Sequence, residues 1–558
     1  MLPTGRSILR DAVSGQRRLL ARAAFLGSVH QGGEALVPVI VGLVIDQAVS
    51  TGSVGALLRW IVVLAVVFGA LSMSYRFAAR AAERASEQAA HGLRMRLAQR
   101  VLDPRGGAEA GRLPGALVNI ATGDAKRVGV VNTVLPFAVA GFVGLLVSAV
   151  SLLRISVPLG LLVLLGTPPL LWLTHLVGKP LERRSSVEQE RAAHASGVAA
   201  DLVSGLRVLK GIGAEAAAVA RYRRTSQDSL AATLRAARAH AGHDGAILAL
   251  TGIFIAVVAL VGAHLAANGS ITVGELVAAV GLAQFLLGPF QIFAWVNGQL
   301  AQGRASAERV ASVLAAPPAV TSGSGAPSGN CPGRLSLRGV THGSLDSLDL
   351  DVEPGELLGV VAPDPAAASH LLDCLGREAD PAAGTVELDG VAYTELDPHE
   401  LRGAVLVAAH DADLFDGSLL DNVVTAGRDV DRALTASAAD EVARTLPEGV
   451  HTLVAERGRS LSGGQRQRVA LARALAADPP VLVVHDPTTA VDAVTEARIA
   501  GELREIRQGR TTVLVTTSPA LLAVTDRVVV LDGGAVGAQG THAELVHANP
   551  GYRSAVLS

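Results

Sequence analysis

The segment LSGGQRQRVALARAL, from Leu461 to Leu475, has the residue types and spacing to hold an anion. Ser462, Gly463 and Gly464 stand where an amphipathic helix must begin, and the unpaired N–H groups and positive dipole end of a helix start favour a terminal phosphate. The two glycines let such a group approach the backbone. Gln465 and the arginines of the first turns add side-chain donors, VALARAL supplies an inward face, and the DPPVLVV run that follows reads as a buried parallel strand. A glycine pair before a helix is common by chance; this whole segment is not. A second constellation, His485 beside Asp486, has metal-ligand types, but adjacent residues at a strand end point to opposite faces and no third ligand is evident. No metal is expected there. Cys331 and Cys374 are too few for a disulfide scaffold and read as two reduced thiols, with Cys374 a small core residue.

These residues belong to a chain of 558 residues with a net charge of −2 and a mean hydropathy of +0.40. The charge balance argues against nucleic acid as a partner, and the low charged fraction against disorder. Hydrophobicity is concentrated in the first half, where six apolar segments approach the roughly 20 residues a bilayer crossing needs: 23–48, 55–77, 131–153, 157–178, 246–267 and 273–298. No signal peptide is expected, since residues 1–22 run into the first crossing. Arginines crowd residues 6–22, 78–130 and 179–245, whereas DQAVSTGSVG and ANGSIT carry no Lys or Arg; this places both termini in the cytoplasm. The two long basic connections have helical composition and should prolong the crossings. Residues 316–334, rich in Pro, Gly and Ser, read as a flexible linker to an α/β domain. No tandem repeat is present.

In this order and with Leu461–Gln465 intact, the chain resembles a half-transporter of the ABC exporter family. Glu456-Arg457-Gly458 before the signature, TTAVD at 488–492 and GTHAEL at 540–545 also match. The resemblance implies an all-α six-helix, helix-swapped transmembrane domain over residues 1–315 and an α/β P-loop-NTPase-like nucleotide-binding domain over 335–558. It implies ATP and Mg2+ as cofactors, a second half-transporter as partner, and coupling segments near 111–120 and within LVSGLRVLKGIGAE, 202–215.

Against the family's chemistry the second domain departs almost everywhere. Where the P-loop G-x-x-x-x-G-K-[ST] belongs, residues 362–370 read APDPAAASH. Ala362, Pro365 and Ala367 replace residues that are normally glycine or small donors, Ala368 takes the place of the lysine, and His370 follows Ser369 where threonine is usual. Proline has no N–H to give a phosphate, and alanine resists the backbone angles such a loop uses. THGS at 341–344 offers no adenine-stacking Tyr or Phe. His410 takes the Q-loop glutamine position, His485 the magnesium-orienting aspartate, Asp486 the general-base glutamate and Thr517 the switch histidine. Only the elements that act on a neighbour's site are retained, namely Leu461, Ser462, Gly463, Gly464, Gln465 and Asp492 of the D-loop. The implied protein is the degenerate-site subunit of a heterodimer, with ATP and Mg2+ held mainly by a homologous half-transporter whose P-loop is intact.

Cargo is less specified. Glu34, with His30 and Gln31 near the middle of the first crossing, either binds a cationic group or a proton or packs at the break made by Gly32 and Gly33. Gln284 and Gln291, seven apart on one helical face, either line a cavity or hold helices together. His175 and His264 carry no functional expectation. Crossings poor in aromatic residues suit a hydrophobic or amphipathic small molecule, lipid or peptide for export. Uptake of metal–siderophore complexes and a non-transporting regulatory role stand as alternatives.

Overall fold

A computed structural model describes residues 3–410, 413–424 and 429–557. The chain divides into two compact units, Met1–Leu97 with Pro114–Ala315, and Ala98–Leu113 with Ala316–Ser558.

The first unit is all helix, as it must be if its backbone polar groups are to be satisfied without water. Among the described residues six helices are long and apolar enough to cross a membrane: Arg17–Val49, Val54–Val101, Pro114–Ile155, Val157–Thr174, Glu215–Ala267 and Val273–Leu314. Several outrun their apolar stretches. The second continues through an Ala- and Arg-rich sequence to Val101, the fourth runs on to Ser204, and the fifth starts at Glu215. Short helices Pro114–Asn119 and Leu206–Gly211 interrupt the two connections, inside the stretches expected to couple. The first crossing packs on the third, the third on the last, and the fourth on the fifth. Small residues permit the closest approach: a β-carbon on Gly42 would lie 2.5 Å from the carbonyl oxygen of Gly274. The last crossing breaks at Leu286, between Val273–Phe285 and Leu287–Leu314.

Within this unit Asp124 is fully buried yet charged. Its oxygens accept from Arg309 at 2.6 and 2.8 Å and from Ser306 at 2.9 Å. The pair ties the start of the third crossing to the end of the last. Asp124→Asn keeps the volume and loses charge-assisted bonds, an expected cost of about 1.5–3 kcal/mol, moderated because Arg309 stays half exposed and can be solvated. A lowered thermal unfolding midpoint in detergent is the measurement.

The second unit is α/β. One sheet runs Leu345–Val352, Leu335–His342, Ala383–Leu388, Val391–Ala392, all antiparallel. A six-stranded sheet runs Ala535–Gly540, Arg527–Asp532, Leu357–Val361, Thr511–Val515, Val481–His485, Val405–Ala408, parallel except for its first pair. Its central strands are buried on both faces, which explains the unbroken apolar runs LLGVV and VLVV.

The 316–334 segment is not a free linker along its length. Thr321 donates from both its backbone and hydroxyl to Asp380 at 2.8 Å, and Gly325 donates to the Glu395 carbonyl at 2.9 Å. Arg377, buried, reaches the carbonyls of Thr321 and Leu396, both at 2.8 Å. A β-carbon at Gly323 would fall 2.0 Å from the Glu395 backbone, so glycine here serves close docking and not flexibility. Residues 98–113 join the same surface: Arg100 donates to the carbonyls of Gly106 and Ala316, and Arg402 to that of Pro104.

Candidate functional site

The helix Gly463–Ala476 begins as its sequence requires. Ser462 is the N-cap: its hydroxyl accepts from the Gln465 N–H at 3.3 Å, while the Gln465 amide oxygen accepts from the Ser462 N–H at 2.8 Å. These two residues satisfy each other. Gly463 and Gly464 are the first two residues of the helix, where N–H groups have no intrahelical acceptor; Gly463 is half-buried and Gly464 buried. Gln467 braces the next loop, donating to Thr489 Oγ1 at 2.7 Å and accepting from the Ala490 N–H at 2.9 Å. That brace brings Ala490 so close that a β-carbon on Gly464 would lie 2.3 Å from its carbonyl oxygen. Asp492 caps the helix Ala493–Ile506, and the bonds it accepts from Thr495 hold its carboxyl below the usual range. Gly463, Arg466, Gln467, Arg457 and Thr489 line a cleft of about 590 Å³. His410, Asp413 and Ala490 complete its lining, so two arginines share the cleft with one carboxylate. Gln467 carries no motif role in the sequence reading, whereas Arg457 belongs to its Glu456-Arg457-Gly458 landmark; the side chain of Glu456 lies outside the described residues.

The loop of residues 362–370 starts its helix with a different cap. The helix Pro365–Leu375 has Asp364 as its N-cap, and Asp364 Oδ1 accepts from the Ala366 N–H at 3.0 Å. The Asp364 carbonyl accepts from the N–H groups of Ala367 and Ala368 at 3.1 and 3.3 Å. Pro365 has none to offer. The Asp364 carboxylate thus takes the Ala366 N–H and sets a negative charge at the helix start, while the bonds to its carbonyl are the helix's own first turn. Ala367 and Ala368 are buried, and Ser369 donates to the Pro365 carbonyl at 3.1 Å. Ala362 packs on the core. Asp-Pro before an alanine run is an N-cap followed by proline at the first helical position, a signal legible in the sequence but not drawn from it.

Histidines pair at this loop and again at the end of strand Val481–His485. His370 Nδ1 accepts from the Ser344 N–H at 3.0 Å, and its ring so closely covers Gly343 that a β-carbon there would lie 2.3 Å away. His342 meets it edge-on, centroids 5.5 Å apart. At the end of strand Val481–His485, Asp486 adopts a left-handed φ of 45°. Strand alternation fails there, and in place of pointing apart His485 Nε2 and Asp486 Oδ2 lie 3.7 Å from each other. His410 joins them, its ring 5.8 Å from that of His485 and its Nδ1 3.3 Å from the Asp486 carbonyl. Among the described residues no group of three His, Cys, Asp or Glu is placed to hold a metal ion. Thr517 is exposed beyond strand Thr511–Val515. With an anionic cap at its helix start, a proline at the first helical position and no lysine, residues 362–370 do not fit Mg-nucleotide. No catalytic step runs through them.

Cys374 lies buried on the helix behind the loop, and burial, with Asp373 and Asp380 nearby, pushes its thiol up to about 12. Burial and Asp389 do the same to Cys331. Alkylation of the native protein at pH 8 is expected to be at least about a hundredfold slower than that of free cysteine, because the thiolate reacts; unfolding should restore the ordinary rate, read by mass spectrometry.

In the first unit, Gln31 Nε2 donates to Glu34 Oε2 at 2.8 Å and His30 Nε2 lies 3.7 Å from the same oxygen. Gln284 and Gln291 are both exposed, on either side of the break at Leu286, and make no side-chain hydrogen bond among the described residues.

A unit of helices long and apolar enough to cross a membrane, joined in one chain to an α/β domain with the Leu461–Gln465 segment, is the architecture of a membrane domain fused to a nucleotide-binding-type domain. The chain belongs to the ABC transporter family. The family profile "ABC transporter transmembrane region" matches residues 20–290 and "ABC transporter" residues 345–489. The chain is 33% identical over 542 residues to the multidrug efflux ATP-binding/permease protein of Mycobacterium tuberculosis, a match covering 95% of this chain and 45% of that protein. It is 30% identical over 401 residues to the ATP-dependent lipid A-core flippase of Thiobacillus denitrificans, covering 70% and 69%. The chain thus spans less than half the length of its mycobacterial relative. A solved bacterial Atm1-family ABC exporter with ATP bound superposes with a TM-score of 0.76 over 97% of both chains at 23% identity, a likeness of fold.

Proposed function

We propose that this chain is the signature-donating subunit of a heterodimeric, ATP-driven exporter, paired with a half-transporter whose P-loop is intact. The observation that carries this reading is the contrast between its two helix starts: at Pro365–Leu375 an anionic Asp364 cap and a proline stand where a phosphate would sit, whereas at Gly463–Ala476 a neutral serine caps two glycines, with Arg457 and Arg466 beside Gly463 in the cleft. Two identical copies would offer two such signatures and no loop suited to phosphate. A partner resolves that mismatch. The mycobacterial relative supports it, since more than half of that protein lies outside the match and leaves room for a second half.

In the complex, Ser462, Gly463 and Gly464 clamp the terminal phosphate of a nucleotide seated in the partner's P-loop, with Asp492 close by, while Mg2+ and the general base come from the partner. Closure of the two nucleotide-binding domains passes to the crossings through Pro114–Asn119 and Leu206–Gly211, and both termini lie in the cytoplasm. Nucleotide biases the inward–outward equilibrium only by its differential affinity for the closed pair. The names of the relatives, multidrug efflux and lipid flipping, favour a hydrophobic or amphipathic small molecule or lipid as cargo.

The test is co-expression with a partner half-transporter taken from the neighbouring reading frame. Co-purification with ATPase activity that depends on the partner's P-loop lysine is expected. Full activity after that lysine is replaced would overturn the proposal.

A further inference from the structure

We propose that the start of the first crossing is a docking site for a resident anionic phospholipid, whose phosphate is held by Arg17, Arg18 and Arg22 with Arg6 and Arg10 close by. Neither partner, nucleotide nor cargo enters this site.

Residues 1–33 contain five arginines, Arg6, Arg10, Arg17, Arg18 and Arg22, against one carboxylate, Asp11. All five are exposed, and among the described residues none of them makes an ion pair or a side-chain hydrogen bond. Arginines of the second unit are engaged differently: Arg338, Arg498 and Arg527 lie 2.7, 2.6 and 2.9 Å from carboxylate oxygens. The N-terminal set has no such partner within the chain. A guanidinium fork matches two phosphate oxygens at once, which makes a phosphate ester the fitting counter-ion.

The scaffold fixes where these charges stand. On helix Gly5–Ser14, Ile8 is buried and a β-carbon at Gly5 would lie 2.8 Å from Glu308 Cγ, so one face is pinned to the last crossing. Arg6 and Arg10, one turn apart, lie on the opposite face. Only Gly15 and Gln16 separate this helix from Arg17–Val44. Around that second helix Arg18, Arg22, Phe25 and Val29 fall within about 60° of one another, and Phe25 and Val29 are exposed apolar side chains. Along this stripe charge gives way to hydrocarbon, in the order of a phospholipid: phosphate, then acyl chain. A soluble phosphate would use the arginines and leave Phe25 and Val29 uncovered.

The probes are dioleoylphosphatidylglycerol and zwitterionic dioleoylphosphatidylcholine, titrated onto the full-length chain in neutral detergent and counted as adducts by native mass spectrometry, with glycerol 3-phosphate as the soluble competitor. Phosphatidylglycerol is expected to bind at least about tenfold more tightly, since each arginine beside an anionic headgroup contributes about fivefold. That preference should shrink as ionic strength rises. Arg17→Gln/Arg18→Gln/Arg22→Gln should reduce it to about twofold or less, whereas Arg17→Lys/Arg18→Lys/Arg22→Lys should keep most of it. Arg221→Gln/Arg223→Gln/Arg224→Gln removes as much charge from helix Glu215–Ala267 and should leave the preference unchanged. Equal binding of the two lipids, an undiminished preference in the folded Arg17→Gln/Arg18→Gln/Arg22→Gln protein, or an equal loss in the Arg221→Gln/Arg223→Gln/Arg224→Gln protein each overturns the inference. Displacement of the lipid by glycerol 3-phosphate also overturns it, by assigning the arginines to a soluble phosphate. If the first triple variant does not fold, Arg6→Gln/Arg10→Gln decides: a loss of preference of at least about threefold is expected, and no loss overturns the site.

Discussion

Purified without a partner, the chain is expected to hydrolyse Mg-ATP at least about a thousandfold more slowly than its complex with an intact half-transporter. Several independent losses combine. Without a lysine at Ala368 a charged hydrogen bond worth about 1.5–3 kcal/mol is missing. The first free N–H groups of the loop helix already bond to Asp364. Asp486, one methylene shorter than a glutamate and held in a left-handed turn, misplaces any base it could supply, and a displacement of about 1 Å alone costs on the order of a hundredfold. For the same reason Ala368→Lys by itself should restore neither binding nor turnover, since the Asp364 carboxylate still occupies the helix end and would take the new ammonium as its own partner. Equilibrium nucleotide binding to the single chain, wild type and variant, checks both statements.

Gly463→Ala, made in this chain alone, is expected to lower the ATPase of the complex by about a hundredfold, the order seen when one preorganised donor to a developing anion is lost. The substitution is well suited to the purpose. A β-carbon at Gly463 meets only Ala490 Cβ, at an ordinary 3.4 Å, so the helix start is undisturbed while the methyl group crowds the phosphate seat. Gly464→Ala differs: its β-carbon falls 2.3 Å from the Ala490 carbonyl oxygen, so folding and activity should both suffer. Unchanged thermal unfolding with collapsed turnover in Gly463→Ala separates a trans phosphate clamp from a structural helix cap. If the chain's signature served no site, turnover would be unaffected.

Much of this was legible in the residues. The six crossings announce themselves by apolar length, and the signature helix by Ser462 as cap, glycines at its first turn and VALARAL as its buried face. Central strands such as Val481–His485 read as apolar runs because helices or a second sheet cover both sides. What escaped depends on backbone geometry or on distant partners. Asp486 was expected to point away from His485, but a positive φ at a non-glycine residue leaves no mark in composition. The Pro, Gly and Ser of 316–334 read as slack because nothing local shows that Asp380, Glu395 and Leu396 wait some sixty to seventy residues on to receive Thr321, Gly323 and Gly325. The pairing of His342 with His370, and of His410 with His485, joins segments separated by whole strands.

Cryo-electron microscopy of the purified complex with Mg-ATP, hydrolysis blocked by a Glu→Gln exchange at the partner's base, tests the trans clamp most directly. Nucleotide should lie between the partner's P-loop and Gly463 and Gly464 of this chain, with Asp364 still bonded to the Ala366 N–H and no phosphate at residues 362–370. A symmetric pair of this chain cradling Mg-nucleotide in its own alanine-rich loop would contradict it.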